Sequence, residues 1–325
     1  MWENQPWLRE EMAAFETFAA ERFAGRGVHY REIAGRLLLQ GGKRLRPAMT
    51  ILAAKSGDYD RSRVFPAALA VETLHAATLA HDDIVDGATV RRGQPTVSEK
   101  HGVNMAVYTG DYLFAKSLLL MAESGLEPER TEWVAKAVLA MCEGEMEQYL
   151  GRFEITPLTQ YLRRIARKTG LLFSAACTIG AKAGRLSDEE VNRLRRFGFR
   201  FGMAFQIRDD ILDMEVDAKE AGKPVARDLK DGIVTLPVLL ALRKETTLGP
   251  ALAQCFQGTG EIPALLDAVR DTGGIRDADR MLGRYQEKCR KLLAELPRQT
   301  TRNALEELTD WLSPGGGSMQ IQPIG

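Results

Sequence analysis

Apolar side chains recur every three or four positions along almost the whole chain, the spacing that gathers them on one face of an α-helix, whereas alternating runs rich in β-branched residues are scarce. The pattern predicts an all-α fold, a helical bundle. Predicted helices run from Pro6 to Phe23, Tyr30 to Gln40, Leu45 to Lys55, Val64 to Asp86, Met105 to Ser124 and Arg130 to Leu150. Gly41-Gly42, Gly87 and Gly93-Gln94-Pro95 interrupt the period. Thr156-Pro157 reads as an N-cap followed by a proline in the first turn of a helix reaching Ala183. Ser187-Asp188-Glu189-Glu190 matches a capping box and opens a helix that continues to Glu215. The polar stretch Val216 to Asp231, with Gly222-Lys223-Pro224 inside it, reads as a loop; a helix from near Val234 and three more follow. No linker or shift in composition divides the chain, so one helical domain over residues 1–312 is expected, with residues 313–325 a disordered tail.

Composition narrows the class. An apolar share of 45% over 325 residues supplies a large core. The 44 basic and 44 acidic residues cancel, so nothing argues for nucleic acid as a partner. Cys142, Cys177, Cys255 and Cys289 form no C-x-x-C pair, which indicates neither zinc nor a disulfide framework and fits a reducing, cytoplasmic compartment. Met1 to Arg9 does not have the make-up of a signal peptide, and no apolar run is long enough to span a bilayer.

Against that neutral background two local concentrations of charge stand out, Asp82-Asp83-Ile84-Val85-Asp86 and Asp209-Asp210-Ile211-Leu212-Asp213. In each, the outer carboxylates are four residues apart and so lie one above the other on a helix. Each falls near a predicted helix end, where three acids oppose one another and the macrodipole, and each follows a strongly apolar run. Unpaired carboxylates in such a setting are costly without cations. Mg²⁺ is usually held by one or two carboxylates together with water and phosphate oxygens, so the spacing suits a Mg²⁺–diphosphate site, and two such sites facing one another across a cavity are expected.

With Gly41-Gly42-Lys43-Arg44-Leu45-Arg46-Pro47, His75, Arg91-Arg92, Lys168-Thr169, Gln206 and Gly222-Lys223-Pro224 in order around the two clusters, the chain resembles the trans-type polyprenyl diphosphate synthases. Tyr108-Thr109-Gly110-Asp111-Tyr112, Gly144 to Gln148 and Tyr161 to Ile165 look most like the catalytic subunit of bacterial heptaprenyl or hexaprenyl diphosphate synthases. The resemblance implies a single-domain antiparallel bundle of the isoprenoid synthase type around a central cavity. It implies two or three Mg²⁺ ions held by Asp82, Asp86 and Asp209, helped by Asp83, Asp210 and Asp213. Arg91, Lys168 and Lys223 would hold the allylic diphosphate. Lys43, Arg46, His75 and Arg92 would hold isopentenyl diphosphate, and Thr169 and Gln206 would turn oxygen dipoles towards the carbocation. The catalytic assignments are thus Lys168, Thr169 and Gln206. Where many family members carry lysine after the glycine preceding Thr-Leu-Pro, this chain has Ile233, and Lys230 is the nearest substitute.

In that family, bulky residues just before the first aspartate cluster shorten the product. Here Ala77 and Thr78 are small, which implies a long product, hexaprenyl or heptaprenyl diphosphate, with the stop set deeper by residues such as Leu74 or Phe114. Such a product suits a menaquinone side chain. The resemblance further implies a homodimer, or a heterodimer with a small noncatalytic subunit, built on the apolar helices Met105–Met121 and Val134–Met146, with at most transient membrane contact. Farnesyl or geranylgeranyl synthesis and a noncatalytic regulatory subunit are the alternatives. A terpene cyclase or a head-to-head synthase fits less well, because both aspartate clusters and Gly42 to Arg46 are intact.

Overall fold

The structure, a computed structural model, describes residues 5–24, 29–125, 131–215 and 226–313, without the side chains of 131–134, 215 and 227. The all-α expectation is met: the described residues form helices α1 (Pro6–Phe23), α2 (His29–Leu39), α3 (Leu45–Lys55), α4 (Arg61–Val85), α5 (Val97–His101), α6 (Val103–Glu123), α7 (Thr131–Leu150), α8 (Leu158–Ile165) and α9 (Leu171–Ala183). They continue through α10 (Asp188–Glu215), α11 (Arg227–Lys230), α12 (Leu236–Lys244), α13 (Leu248–Phe256), α14 (Ile262–Asp271), α15 (Gly274–Leu293) and α16 (Gln299–Trp311).

Helix α4 is the axis of the bundle. The Asp60 carboxylate accepts from the Ser62 backbone N–H and caps its start, and its alanines leave room for α6, α3 and α9 to close around it. Close approach is also built into α9, where a Cβ at Gly180 would collide with the Thr50 backbone of α3. Helix α10 opens with the expected capping box, Ser187 N–H donating to Glu190 Oε2 at 3.0 Å and Glu190 N–H returning to Ser187 Oγ at 3.4 Å. It packs on α9 and α15. Among the described residues no helix is long and apolar enough to cross a membrane.

The structure departs from the periodicity in five places. Pro157 is itself the N-cap of α8, with extended ψ, so the helix starts one residue later than expected. The segment expected as one helix to Ala183 is divided by a π-helical turn, Ala166–Gly170, which carries Lys168 and Thr169. Gly93-Gln94-Pro95 is part of a short hairpin, Val90–Arg91 paired with Gln94–Pro95, whose two turn residues Arg92 and Gly93 both have positive φ. A one-turn helix, α11, interrupts the stretch read as loop, and α12 is followed by four helices rather than three. Lys223 and the rest of 216–225, and the tail from residue 314, lie outside the described residues.

The glycine-rich segment before α3 is fixed by charge. Arg44, at the α3 N-cap with φ +47°, donates to Glu16 at 2.6 Å and to Glu72 of α4 at 2.9 Å. Gly42 has φ +123°, a conformation that favours glycine, and the Arg92 guanidinium lies over it, 2.7 Å from where a Cβ would stand, as it donates to the Gly41 carbonyl.

Candidate active site

The C-terminal ends of α4 and α10 border one cavity of about 620 Å³. From α4 it is lined by His75, Thr78, Asp82 and Asp86; from α10 by Gln206, Asp209 and Asp210; from the π turn by Lys168 and Thr169. Arg46 and Arg91 also reach it. The structure therefore brings together eleven of the residues singled out from sequence. Lys43, Arg92, Asp83, Asp213 and Ala77 do not line this cavity.

The aspartates divide into two kinds. Asp83 and Asp210, 2% and 3% exposed, are engaged by the protein. The Asp83 carboxylate accepts from Arg91 Nε at 2.5 Å, which ties the hairpin to α4. Asp210 accepts from Tyr161 Oη at 2.7 Å, Gln206 Nε2 at 3.0 Å and the Leu236 backbone N–H at 3.3 Å, and so joins α8, α10 and the start of α12. Thr169 Oγ1 donates to Gln206 Oε1 at 2.7 Å, which locks the amide between the π turn and Asp210. Asp82, Asp86 and Asp209 instead turn to the cavity. Asp209 is open to cavity solvent although protein surrounds most of it, and that surrounding raises its carboxyl above the usual range despite Lys43, Arg208 and Lys168.

Lys168 is the electrostatic link between the walls. Burial alone lowers its ammonium, but Glu145, Asp82 and Asp86 outweigh this and raise it, so it stays charged. It donates to Glu145 at 3.0 Å and also bears on Asp209. His75 is pushed well below its ordinary value by burial and then by Arg46, Arg92, Arg91 and Arg44; it is neutral at pH 7 and offers a hydrogen bond rather than a charge. Sequence reasoning missed Glu145, Tyr161 and Asp228 as site residues. The first two fall in segments that carried the resemblance, and Asp228 was hidden in a stretch read as loop.

Burial, followed by Asp210, Asp213 and Asp209, raises Asp228 to about 7, and burial brings Asp82 and Asp210 to about 6. A carboxyl with a native pKa above its unfolded value binds more protons folded than unfolded, so stability falls as pH rises through the window from about 4 to about 7. The metal-free protein is expected to melt lower at about pH 7.5 than at about pH 5.5, and Asp228→Asn to raise the Tm at the higher pH by about 2–4 °C. Thermal unfolding followed by circular dichroism at both pH values measures this; an unchanged Tm for the variant at pH 7.5 contradicts it.

Below the polar cavity lies a second, apolar chamber between α4, α6, α7 and α9, walled by Ala70, Val71, Leu74, Ser117 and Met121 among others. Met141 and Leu172 belong to the linings of both and stand between them. The chamber measures about 20 Å³, room for about one water molecule. Of the residues considered for product length, Thr78 faces the upper cavity and Leu74 the chamber, whereas Ala77 is buried outside both, off the 71/74/78/82 row of α4. Phe114 lines neither and is 37% exposed on α6. Ile233 forms part of the upper wall, and Lys230 is not among the lining residues.

An acid-rich mouth with cations beside it, set over a hydrocarbon-lined chamber, defines an enzyme for an amphiphilic anion with a charged head and an apolar tail. Comparison with known proteins agrees. Residues 28–269 match the polyprenyl synthetase family. The chain is 41% identical to heptaprenyl diphosphate synthase component 2 of Geobacillus stearothermophilus over 93% of its own length and 94% of the relative's. It is 37% identical to nonaprenyl diphosphate synthase of Mycobacterium tuberculosis, covering 83% and 82%. A solved polyprenyl synthase from Caulobacter crescentus, in complex with calcium and isoprenyl diphosphate, superposes with a TM-score of 0.86 at 31% identity, covering 94% and 95%. The chain belongs to the polyprenyl synthetase family. It is a trans-prenyltransferase that lengthens an allylic prenyl diphosphate with isopentenyl diphosphate.

Proposed function

We propose that the chain makes a long all-trans polyprenyl diphosphate, hexaprenyl or heptaprenyl, with Mg²⁺ and a small noncatalytic partner subunit. The observation that carries this reading is the single cavity shared by Asp82 and Asp86 on one wall and Asp209 on the other, with Lys168 charged between them. Among the described residues no three carboxylate, imidazole or thiolate groups converge into one closed metal cage. The donor set suits Mg²⁺, which keeps several waters and takes one or two carboxylates plus substrate oxygens; burial raises the carboxyls of both Asp82 and Asp209, and Glu145 and Asp86 add to the rise at Asp82. Two or three ions shared between Asp82, Asp86 and Asp209 suit this donor set, with Asp83, Asp210 and Asp213 in support.

When bound, the metal supplies charge that stabilises the departing diphosphate. Lys168, Arg91 and Lys223 hold the allylic diphosphate, and Lys43, Arg46, Arg92 and neutral His75 hold isopentenyl diphosphate. Thr169 and Gln206, fixed to each other, present oxygen dipoles to the carbon that becomes cationic. The isopentenyl double bond attacks that carbon, and the proton then lost goes to the departing diphosphate. Phe205 and Leu172 in the wall restrict water near the cation.

The long product is supported by Thr78 beneath the first cluster and by the apolar chamber beyond Met141 and Leu172, where flexible methionines give way to a growing tail. Val107, Phe114, Leu118 and Leu119 on α6, with Leu139 and Met146 on α7, expose an apolar face that supports dimer formation, either with a second copy or with the partner subunit. Leu118 belongs to that face and to the chamber wall alike. The cytoplasm is the compartment proposed, with membrane contact only at product release. The test is product analysis with isopentenyl diphosphate, a farnesyl or geranylgeranyl primer and Mg²⁺, with and without the partner subunit. Hexaprenyl or heptaprenyl product that depends on the partner is expected. Only farnesyl or geranylgeranyl product would overturn the chain length, and full activity of the chain alone would overturn the partner.

A further inference from the structure

Three cations near the mouth are held in a way that differs from every structural ion pair around them. Arg44, one residue from Lys43, is neutralised by Glu16 and Glu72. Lys43, Arg46 and Arg208, by contrast, have no carboxylate at ion-pair distance among the described residues and rest on aromatic rings. Lys43 Nζ is 4.7 Å from the centre of the Trp311 ring and 5.7 Å from that of Phe205; Arg208 Cζ is 4.3 Å from the Trp311 centre; Arg46 Cζ is 4.7 Å from that of Phe173. Trp311, the last residue of α16, is 6% exposed, and its ring is 6.5 Å from Phe205. Arg46 Nε, Arg208 Nε and Trp311 Nε1 are all buried without a hydrogen-bond partner.

An aromatic face attracts a cation without cancelling its charge, whereas a carboxylate would compete with any incoming anion. The protein thus holds two like-charged groups over one indole, with orphaned donors beside them. Such an arrangement costs stability and is sensible where a polyanion completes it.

We propose that Arg208 is a further binding residue for isopentenyl diphosphate, acting with Lys43 and Arg46, and that Trp311 is the positioning residue that holds Lys43 and Arg208 charged and unpaired for it. The C-terminal helix thereby becomes part of the second diphosphate subsite. This rests on the reading of Lys43 as an isopentenyl diphosphate ligand.

Steady-state kinetics of the full chain, with its partner subunit where activity requires it, separates the possibilities. Arg208→Gln is expected to raise the KM for isopentenyl diphosphate about tenfold, with kcat and the allylic KM within about twofold and partial rescue by Arg208→Lys. Trp311→Leu should raise the same KM, and Trp311→Phe, which keeps a ring, should restore most of it. A rise in the allylic KM or in the Mg²⁺ requirement for Arg208→Gln would overturn the proposal, because Arg208 would then act through Asp209. Equal kinetics for Trp311→Leu and wild type would overturn the role of the indole. Lys43→Ala with an unchanged isopentenyl KM would instead remove the underlying reading of Lys43.

Discussion

Asp82→Asn and Asp209→Asn each lower turnover by about a thousandfold or more while leaving the helical circular dichroism signal unchanged. Each substitution removes one unit of negative charge from a wall of the cavity and keeps the side chain's shape. A thousandfold loss corresponds to about 4 kcal/mol of transition-state stabilisation, within reach of a site that depends on metal-assisted departure of diphosphate. Folding should survive because neither carboxylate is used to hold the bundle together, and losing a charge that burial disfavours relieves the metal-free protein. Asp83 and Asp210 set the contrast. Asp210→Asn disturbs a carboxylate that accepts three hydrogen bonds and joins three helices, so its damage appears in Tm as well as in rate. If Asp82→Asn and Asp209→Asn retained near-normal turnover at saturating Mg²⁺, the two walls would not be parts of one reacting site.

Thr78→Phe is expected to change the product rather than the rate, giving farnesyl or geranylgeranyl diphosphate in place of the long chain. Thr78 lies four residues before Asp82 and faces the cavity, so a phenyl ring there stands in the line from the first cluster towards the chamber. Ala77→Phe acts differently. Ala77 is 2% exposed and lines neither cavity, so a large ring at that position overpacks the core and lowers stability without a matching truncation. Chromatography of the dephosphorylated products together with the Tm of each variant distinguishes the two cases. A long product from Thr78→Phe would place the tail along another wall.

The two aspartate clusters were legible because their spacing is a helical spacing and their setting is apolar, so local sequence already contained the geometry. Lys168 and Thr169 were legible only through resemblance. They sit in a π turn, and periodicity alone runs α8 into α9. Arg92 was expected beside the site, but its left-handed turn and its place over Gly42 arise from a hairpin of two-residue strands, too short to give a strand pattern. The division of labour among the aspartates, Asp82, Asp86 and Asp209 ahead of Asp83 and Asp210, was legible only through resemblance, and its physical cause was not. Asp83 and Asp210 differ from Asp82 and Asp209 by a rotation of about 100° around their helices, which decides whether a carboxylate meets Arg91 or Tyr161 or opens to the cavity. Trp311 lay 98 residues after the last cluster residue, and only tertiary packing brings it over Lys43.

A crystal structure of the chain with Mg²⁺ and a nonhydrolysable allylic diphosphate analogue tests the paired walls most directly. The expected density has the diphosphate seated between Asp82 and Asp86 on one side and Asp209 on the other, metal bridging it to both walls, Lys168 within hydrogen-bond distance, and the prenyl tail passing Met141 and Leu172. A diphosphate bound to only one wall, or a tail directed away from the chamber, would contradict it.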